Sequence, residues 1–427
     1  MKISVIFFFA FLFLPSLAGA EHLTLDQCLT RGLAENPQVK AYRLAVRAGQ
    51  EGIYESYGAF LPTLSLNYGK SKLENSGDLG TQVDALSQKN DTLTVRLSQP
   101  LYTGLAGLSG LKRARQSHTY HEYDLQLTEH QLAREIKISF YEILQAEQLI
   151  TKWIESVDRL ERQQKIAQAW VVQKLAPHQR ELEVAVKLAN ARQELSGAEA
   201  ALAIAKARLS EWIALPPEGS LLIDGNLPQI SSNSCPSIES CLEQAMSQRP
   251  ELQISKLNIS IAQQDANIVR SRNLPQISFD ASWVDHRREY DIDNLDRDNQ
   301  EYYTLSLNLS MRPFQGGKTI FAYKRKKIEI QRLKQVQHQQ KNSIITEVKT
   351  RFQQLIASKS RLVSATVGVD QAREAYRFSE QSAKLGVTSL EDLLLSEILL
   401  TRSEINKIKT VYDLQQARVL LDYVIGN

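Results

Sequence analysis

Three groups of side chains in this sequence have the composition of reactive sites. Gly316-Gly317-Lys318-Thr319 ends as a phosphate-cradling loop ends, with a lysine and a hydroxyl after glycine. That loop needs another glycine at 312, where Arg312 stands, so the reading is a glycine turn from a strand into a helix. His118 and His121 lie three residues apart with Glu122 beside them, a spacing that can turn two imidazoles toward one metal ion. No third histidine follows in register, since His130 is nine residues on, and a solvated helix face accounts for the group. Cys235 and Cys241 could close a disulfide in an oxidising compartment and leave Cys28 alone; separate buried thiols explain them equally. No nucleophile stands beside a base. The sequence therefore assigns no catalytic, cofactor-binding or metal site.

The elements that would have to position any such group are unusual. The chain has 427 residues, with 51 basic and 48 acidic side chains and a net charge of +3, so bulk charge gives no reason to expect nucleic acid as a partner. Three cysteines cannot frame a small disulfide fold. Proline is absent from 101–176, from 178–215 and from everything after Pro313, and glycine is absent from 111–196. Gaps of that size predict very long helices. Residues 1–20 read as a signal peptide: Lys2, an apolar run from Ile3 to Leu14, then Ala18-Gly19-Ala20. No later stretch has the ~20 apolar residues of a membrane helix. An exported chain of this kind can cross a membrane only with strands.

The chain is also duplicated. Residues 23–67 lie on 236–280 at an offset of 213, pairing Cys28 with Cys241, Pro37 with Pro250 and Leu61-Pro62 with Leu274-Pro275. Thr92–Ser98 parallels Thr304–Ser310, and Pro100 to Gly104 parallels Pro313 to Gly317. The period is far longer than that of solenoid repeats, so each half is a whole architectural unit. The first repeat, 21–215, is expected to hold helices in 23–61, strands 62–72 and 91–100, and helices 104–176 and 178–214. A linker, 216–235, leads to the second repeat, 236–427, with helices in 237–274, strands 275–285 and 302–312, and helices 316–385 and 389–425.

The strand segments alternate with period two. Leu64, Leu66, Tyr68, Leu93, Val95 and Leu97 form the apolar set of the first half; Ile277, Phe279, Trp283, Tyr303, Leu305, Leu307 and Leu309 form that of the second. The intervening residues are polar, as one wet and one lipid-facing side require. A half-buried sheet of a soluble domain would give the same alternation. Segment lengths approach the roughly 9–11 residues of a tilted transmembrane strand, and the polar set favours the membrane reading. Four strands cannot close a barrel, and lipid tolerates no open edge. The barrel must then be shared between copies.

The helices carry a 3.5-residue repeat, as in Val184, Leu188, Ala191, Leu195, Ala198, Leu202, Ala205, Leu209 and Trp212. Similar seams run through Ile136, Phe140 and Ile143, through Val348, Phe352 and Leu355, and through Leu394, Ile398, Ile405, Ile408 and Tyr412. A run of about 70 helical residues extends roughly 105 Å. Two hairpin tips interrupt these rods: Lys174, Leu175 and Pro177 in the first half, and Lys384, Leu385, Gly386, Val387, Thr388 and Ser389 in the second, followed by Glu391 and Asp392. Such tips are where another protein could dock.

Taken together, Leu23 to Leu29 with Asn36-Pro37, the Leu61-Pro62 strand entry, Gln99-Pro100-Leu101-Tyr102, Pro313 to Gly317 and the Lys384–Leu394 tip resemble the TolC-type outer-membrane efflux family over the whole mature chain. The resemblance implies a mainly α fold with a β-barrel part: a long α-helical coiled-coil barrel plus four transmembrane strands per chain, closed as a homotrimer with a twelve-stranded barrel. It implies an outer-membrane location with a large periplasmic part, a periplasmic adaptor (membrane fusion) protein at the tips, and an inner-membrane pump of the resistance-nodulation-division or ABC type. Asp392, with Glu391 beside it, falls at the family's periplasmic gate; one turn on, where some members carry a second acid, stands Leu395. The expected function is a passive conduit, not an enzyme, that takes small molecules such as drugs and toxic compounds to the exterior without a cofactor. Type I protein secretion and metal-ion efflux share this architecture. An exported coiled-coil scaffold without a pore is the reading from another class, and the sequence does not name the cargo.

Overall fold

The computed structural model describes residues 21–75, 86–215, 221–225, 237–290, 298–385, 387 and 389–426. The expected signal peptide, Cys235 with its possible disulfide, and Gly386 and Thr388 lie outside the described residues. In chain order the first half comprises β1 (Glu21–Leu23), α1 (Leu25–Glu35), α2 (Pro37–Tyr57), β2 (Thr63–Asn75), β3 (Leu86–Tyr102), α3 (Ala106–Val172) and α4 (His178–Trp212). After β4 (Leu221–Ile223) come α5 (Ile238–Gln248), α6 (Pro250–Ser271), β5 (Gln276–Tyr290), β6 (Asp298–Ser310), α7 (Lys318–Lys384) and α8 (Leu390–Ile425). The segment between halves is not wholly a linker, because β4 pairs in parallel with β1.

Local chemistry sets the repeated boundaries. Thr24 caps α1 with a reciprocal box, its Oγ1 accepting from Gln27 N–H while its own N–H donates to Gln27 Oε1. Ser237 does the corresponding work for α5, accepting from Ser240 N–H. Pro37 and Pro250 open α2 and α6, at the position where a missing N–H breaks no helical bond.

The chain divides into two compact units, one formed by residues 41–127 and 250–343 and the other by residues up to 40, 128–249 and 344–427. The first holds the sheet, in the order β2-β3-β5-β6, antiparallel throughout. Each strand reaches further than expected at its hairpin or loop side, β2 to Asn75, β3 from Leu86, β5 to Tyr290 and β6 from Asp298, while β6 stops at Ser310, short of 312. In the added length charges meet across the ladder, as Lys89 with Glu289 (3.9 Å). In the same unit, α6 packs on α7 through Ala262, Ala266 and Ile330.

The second unit is helical apart from the β1–β4 pair. All nine apolar positions expected along α4 are buried or half-buried, Val184 and Leu209 completely. The seam expected on α8 is covered to the same degree, Leu394 and Tyr412 buried and Ile398, Ile405 and Ile408 half-buried, but the polar Glu397, Thr401 and Glu404 beside it are buried more deeply. The cause is pairing. Glu404 faces Arg373 at 3.3 Å and Lys152 at 3.8 Å, and Glu397 meets Arg159 at 3.2 Å, so these carboxylates can turn inward.

Near the end of α8, burial raises the carboxyl pKa of Asp422, and the nearby Lys137 and Arg418 offset this only in part. A folded-state pKa above the unfolded one means the folded chain holds the proton more tightly. Stability is then greatest below the unfolded pKa and declines as pH rises through the folded value. Asp422→Asn is expected to raise the thermal midpoint at neutral pH and to lose that advantage in acid near pH ~4. Melting curves across pH check it; an advantage constant with pH would contradict the assignment.

Candidate functional site

Strand register brings the expected lipid-facing residues onto one side of the sheet. Leu66, Val95, Trp283 and Tyr303 form one row across all four strands, and Leu64, Leu97, Ala281 and Leu305 form the next. Phe279 pairs with Leu307 and Ile277 with Leu309 on the same side. Tyr68 and Leu93 face each other at its other end. This side is bare: Leu64 and Leu307 are 72% and 69% exposed. A half-buried sheet of a soluble domain would cover it.

The opposite side is polar. One row reads Ser65, Arg96, Ser282 and Thr304, another Thr63, Ser98, Asp280 and Ser306. Asp280 accepts from Ser278 Oγ (2.9 Å) and Asn308 Nδ2 (2.7 Å), which ties β5 to β6 on that side. Both outer strands, β2 and β6, keep a free edge within the chain. An apolar face, a polar face and two open edges together describe a fraction of a barrel.

At the far ends of the long helices, the two tips share a backbone device. After α3, Leu175 N–H donates to Trp170 O (2.8 Å) and Lys174 N–H to Val171 O (3.0 Å), with Lys174 left-handed at φ 58°. After α7, Val387 N–H makes the equivalent bond to Ser382 O (2.9 Å). Pro177 caps α4 without a side-chain bond; Ser389 caps α8, accepting from Asp392 N–H (3.1 Å) and donating to Asp392 Oδ2 (2.7 Å). Leu175, Leu385 and Val387 project into solvent. Arg180, in the first turn of α4, links the tips. Its Nη1 meets Glu391 Oε2 and Glu183 Oε2, each at 2.9 Å. The hydrogen bond from Arg180 holds the Glu183 carboxyl below its ordinary pKa. Beneath lies a core of Leu160, Ala167, Val184, Leu188, Leu393 and Leu394, which seats both tips on one support.

A profile described as outer membrane efflux protein matches residues 29–214 and again residues 241–427. The chain belongs to the outer membrane efflux protein family. The two matches fall one on each repeat. No curated protein matches the sequence. Solved structures similar to it include the outer-membrane channel OprN (15% identity, TM-score 0.81, 94% of this chain and 89% of that one). The CmeC outer membrane channel of Campylobacter jejuni has 11% identity and TM-score 0.81, over 94% of this chain and 85% of that one. The MtrE outer membrane channel of Neisseria gonorrhoeae, in its open state, has 16% identity and TM-score 0.78, over 94% and 89%. At such identities the likeness shows the fold, which is the mainly helical, duplicated fold of outer-membrane channels.

The remaining sequence candidates of this outer membrane efflux protein resolve as structure. Gly316 and Gly317 both take positive φ (58° and 78°), the strand-to-helix turn that glycine permits. His118 faces Glu122 at 3.6 Å, and both histidines lie against α2 at Gly49. Among the described residues no three metal-binding side chains converge. Cys28 and Cys241 are buried at equivalent places in α1 and α5, and burial pushes the Cys28 thiol up to about 11.

One cluster escaped the sequence reading. Glu397 is 1% exposed, and its Oε1 accepts from Ser156 Oγ (2.9 Å), Arg159 Nε (3.2 Å) and Thr401 Oγ1 (2.8 Å). Arg159 Nη2 also donates to Thr401 Oγ1 (2.8 Å). A groove of about 380 Å³ opens over the cluster toward Lys187, Asn190 and Glu194 of α4. The available signal was the interruption of the α8 apolar seam between Leu394 and Ile405, where Glu397, Thr401 and Glu404 are spaced along one helix face.

Proposed function

We propose that this chain is the outer-membrane channel of a tripartite export system, a homotrimeric, passive conduit that carries small toxic compounds from an inner-membrane pump and a periplasmic adaptor to the exterior. The observation that carries the reading is the four-stranded sheet with one bare apolar side and two unpaired edges. A trimer would turn three such sheets into one closed barrel of twelve strands, with the polar side toward the lumen. The family designation, efflux, supports an export role. The chain contributes no chemistry of its own; transport energy comes from the pump.

In this reading the helical unit lies in the periplasm and its tips do two jobs. Leu175, Leu385 and Val387, with Lys174 and Ser389 in the same turns, offer an apolar knob to the adaptor. Glu391 and Asp392, at the first turn of α8, line the entrance. A ring of carboxylates at a narrow point attracts cations, so the entrance would prefer them.

Reconstitution into planar bilayers tests both parts. The purified chain is expected to insert as a heat-sensitive trimer and to conduct ions with cation preference. Asp392→Ala is expected to lower that preference while the trimer remains. A monomer that dissolves without detergent and never conducts overturns the channel reading. Unchanged selectivity in Asp392→Ala removes Asp392 from the constriction.

A further inference from the structure

The duplication predicts how the missing partner fits, because the chain contains its own example of the joint. Within each repeat the hairpin registers are related by fixed offsets. Thr63↔Ser98 becomes Gln276↔Ser310 and Lys70↔Asp91 becomes Trp283↔Tyr303, so 213 carries β2 onto β5 and 212 carries β3 onto β6. Between repeats, β3 pairs with β5. Applying the same offsets to that joint moves it forward by one repeat, from β3·β5 within a chain to β6 of one copy against β2 of the next.

We infer that the free edges of this chain join a second copy in this single register, with Ser310 opposite Asn67 of the next copy, Asn308 opposite Gly69 and Leu307 opposite Lys70. The first pair is the image of Ser98↔Asp280, the second of Arg96↔Ser282 and the third of Val95↔Trp283. The alternation is preserved: Leu305, Leu307 and Leu309 remain on the apolar side, where a one-residue slip would turn the partner strand over.

Exposure agrees with a missing neighbour at these edges. Leu305 and Leu309 on β6 are 73% and 71% exposed, whereas their β3 counterparts Leu93 and Leu97 are half covered and 39% exposed. Helix α2 repeats the pattern. Leu44, Arg47, Ala48 and Glu51 are exposed, while their α6 counterparts Leu257, Ser260, Ile261 and Gln264 are half-buried. In the chain α6 is held to α3 by Gln116 Nε2 donating to Ser260 Oγ at 2.6 Å. The offset of 212 that relates α3 to α7 puts that joint at Ile328 of α7 against Arg47 of the next copy's α2, and both are exposed in the single chain.

The inference rests on the trimeric channel reading but fails separately from it. Full-length Asn67→Cys/Ser310→Cys, oxidised in membranes and run under denaturing conditions, is expected to give a covalent trimer that reductant dissolves. Each single variant is expected to give none. Ser65→Cys/Ser310→Cys and Gly69→Cys/Ser310→Cys, two residues out of register on either side, are expected to link several-fold less. Best linkage in a shifted pair, or none in a chain that still migrates as a heat-sensitive trimer, overturns the register and leaves the channel. A chain that is monomeric in detergent overturns both.

Discussion

Arg159→Met is expected to destabilise the helical unit by about 3–5 kcal/mol, the range for stripping the partner from a buried charge. Glu397 has almost no contact with solvent, and three donors converge on its Oε1. Without Arg159 the carboxylate keeps two hydroxyls but loses the countercharge that stands 3.2 Å from it. Thr401 loses the guanidinium that donates to it and remains its own donor to Glu397. Hydroxyl dipoles do not replace a desolvated ion's partner. The double variant Arg159→Met/Glu397→Leu removes both charges and is expected to recover most of the loss, because well-packed apolar side chains substitute for a buried pair at little cost. Denaturant unfolding in detergent, followed by far-UV circular dichroism at one protein concentration, measures both variants. Fixed concentration matters because oligomer stability depends on it. A single variant within about 1 kcal/mol of the parent chain would show that the pair is screened and that the cluster is not what orders α8 against α3.

The same cluster shows where the sequence was legible and where it was not. The α4 seam was readable because apolar side chains alone decide it; a 3.5-residue spacing from Val184 to Trp212 has one way to be buried. On α8 the apolar seam from Leu394 to Tyr412 was readable in the same way, but the burial of Glu397, Thr401 and Glu404 beside it was not, because Arg159, Lys152 and Arg373 come from α3 and α7, more than thirty residues away or on the other repeat. No local pattern shows that pairing. The strands behaved similarly. Their apolar faces followed from alternation, but their lengths did not, since cross-strand pairs such as Lys89 with Glu289 are fixed by register. Duplication was visible at the sequence level, and the hairpin registers repeat at the same offset to within one residue. At the tips, the sequence identified the turns and the acids. It could not identify Arg180, one of many arginines on helix surfaces, as the residue that reaches Glu391.

Glu391→Lys is expected to shift the channel strongly toward its open state. In the structure Arg180 bonds Glu391 from the other hairpin of the same chain, so the pair ties the start of α8 to the start of α4. If the entrance opens by moving one hairpin relative to the other, that tie must break. The pair is solvent-exposed, and a lysine in place of the acid turns attraction into repulsion. An exposed pair shifts an equilibrium by roughly up to fivefold. Three copies that open together multiply their effects, so the combined shift reaches on the order of a hundredfold. Arg180→Glu is expected to act in the same direction, since it would face both Glu183 and Glu391. Combining the two, Arg180→Glu/Glu391→Lys, re-creates an attractive pair with the charges exchanged and is expected to return the channel toward the closed state. Single-channel recordings at low and high salt measure this, because a contact of exposed charges weakens as the Debye length shortens. Open probability unchanged in both single variants, or equal gains at every salt concentration, would mean that the hairpins are held by the apolar support of Leu393 and Leu394 against Leu160 and Leu188 instead of by charge. Recovery in the exchanged pair is the decisive result, since a merely damaged tip would not be repaired by a second charge reversal.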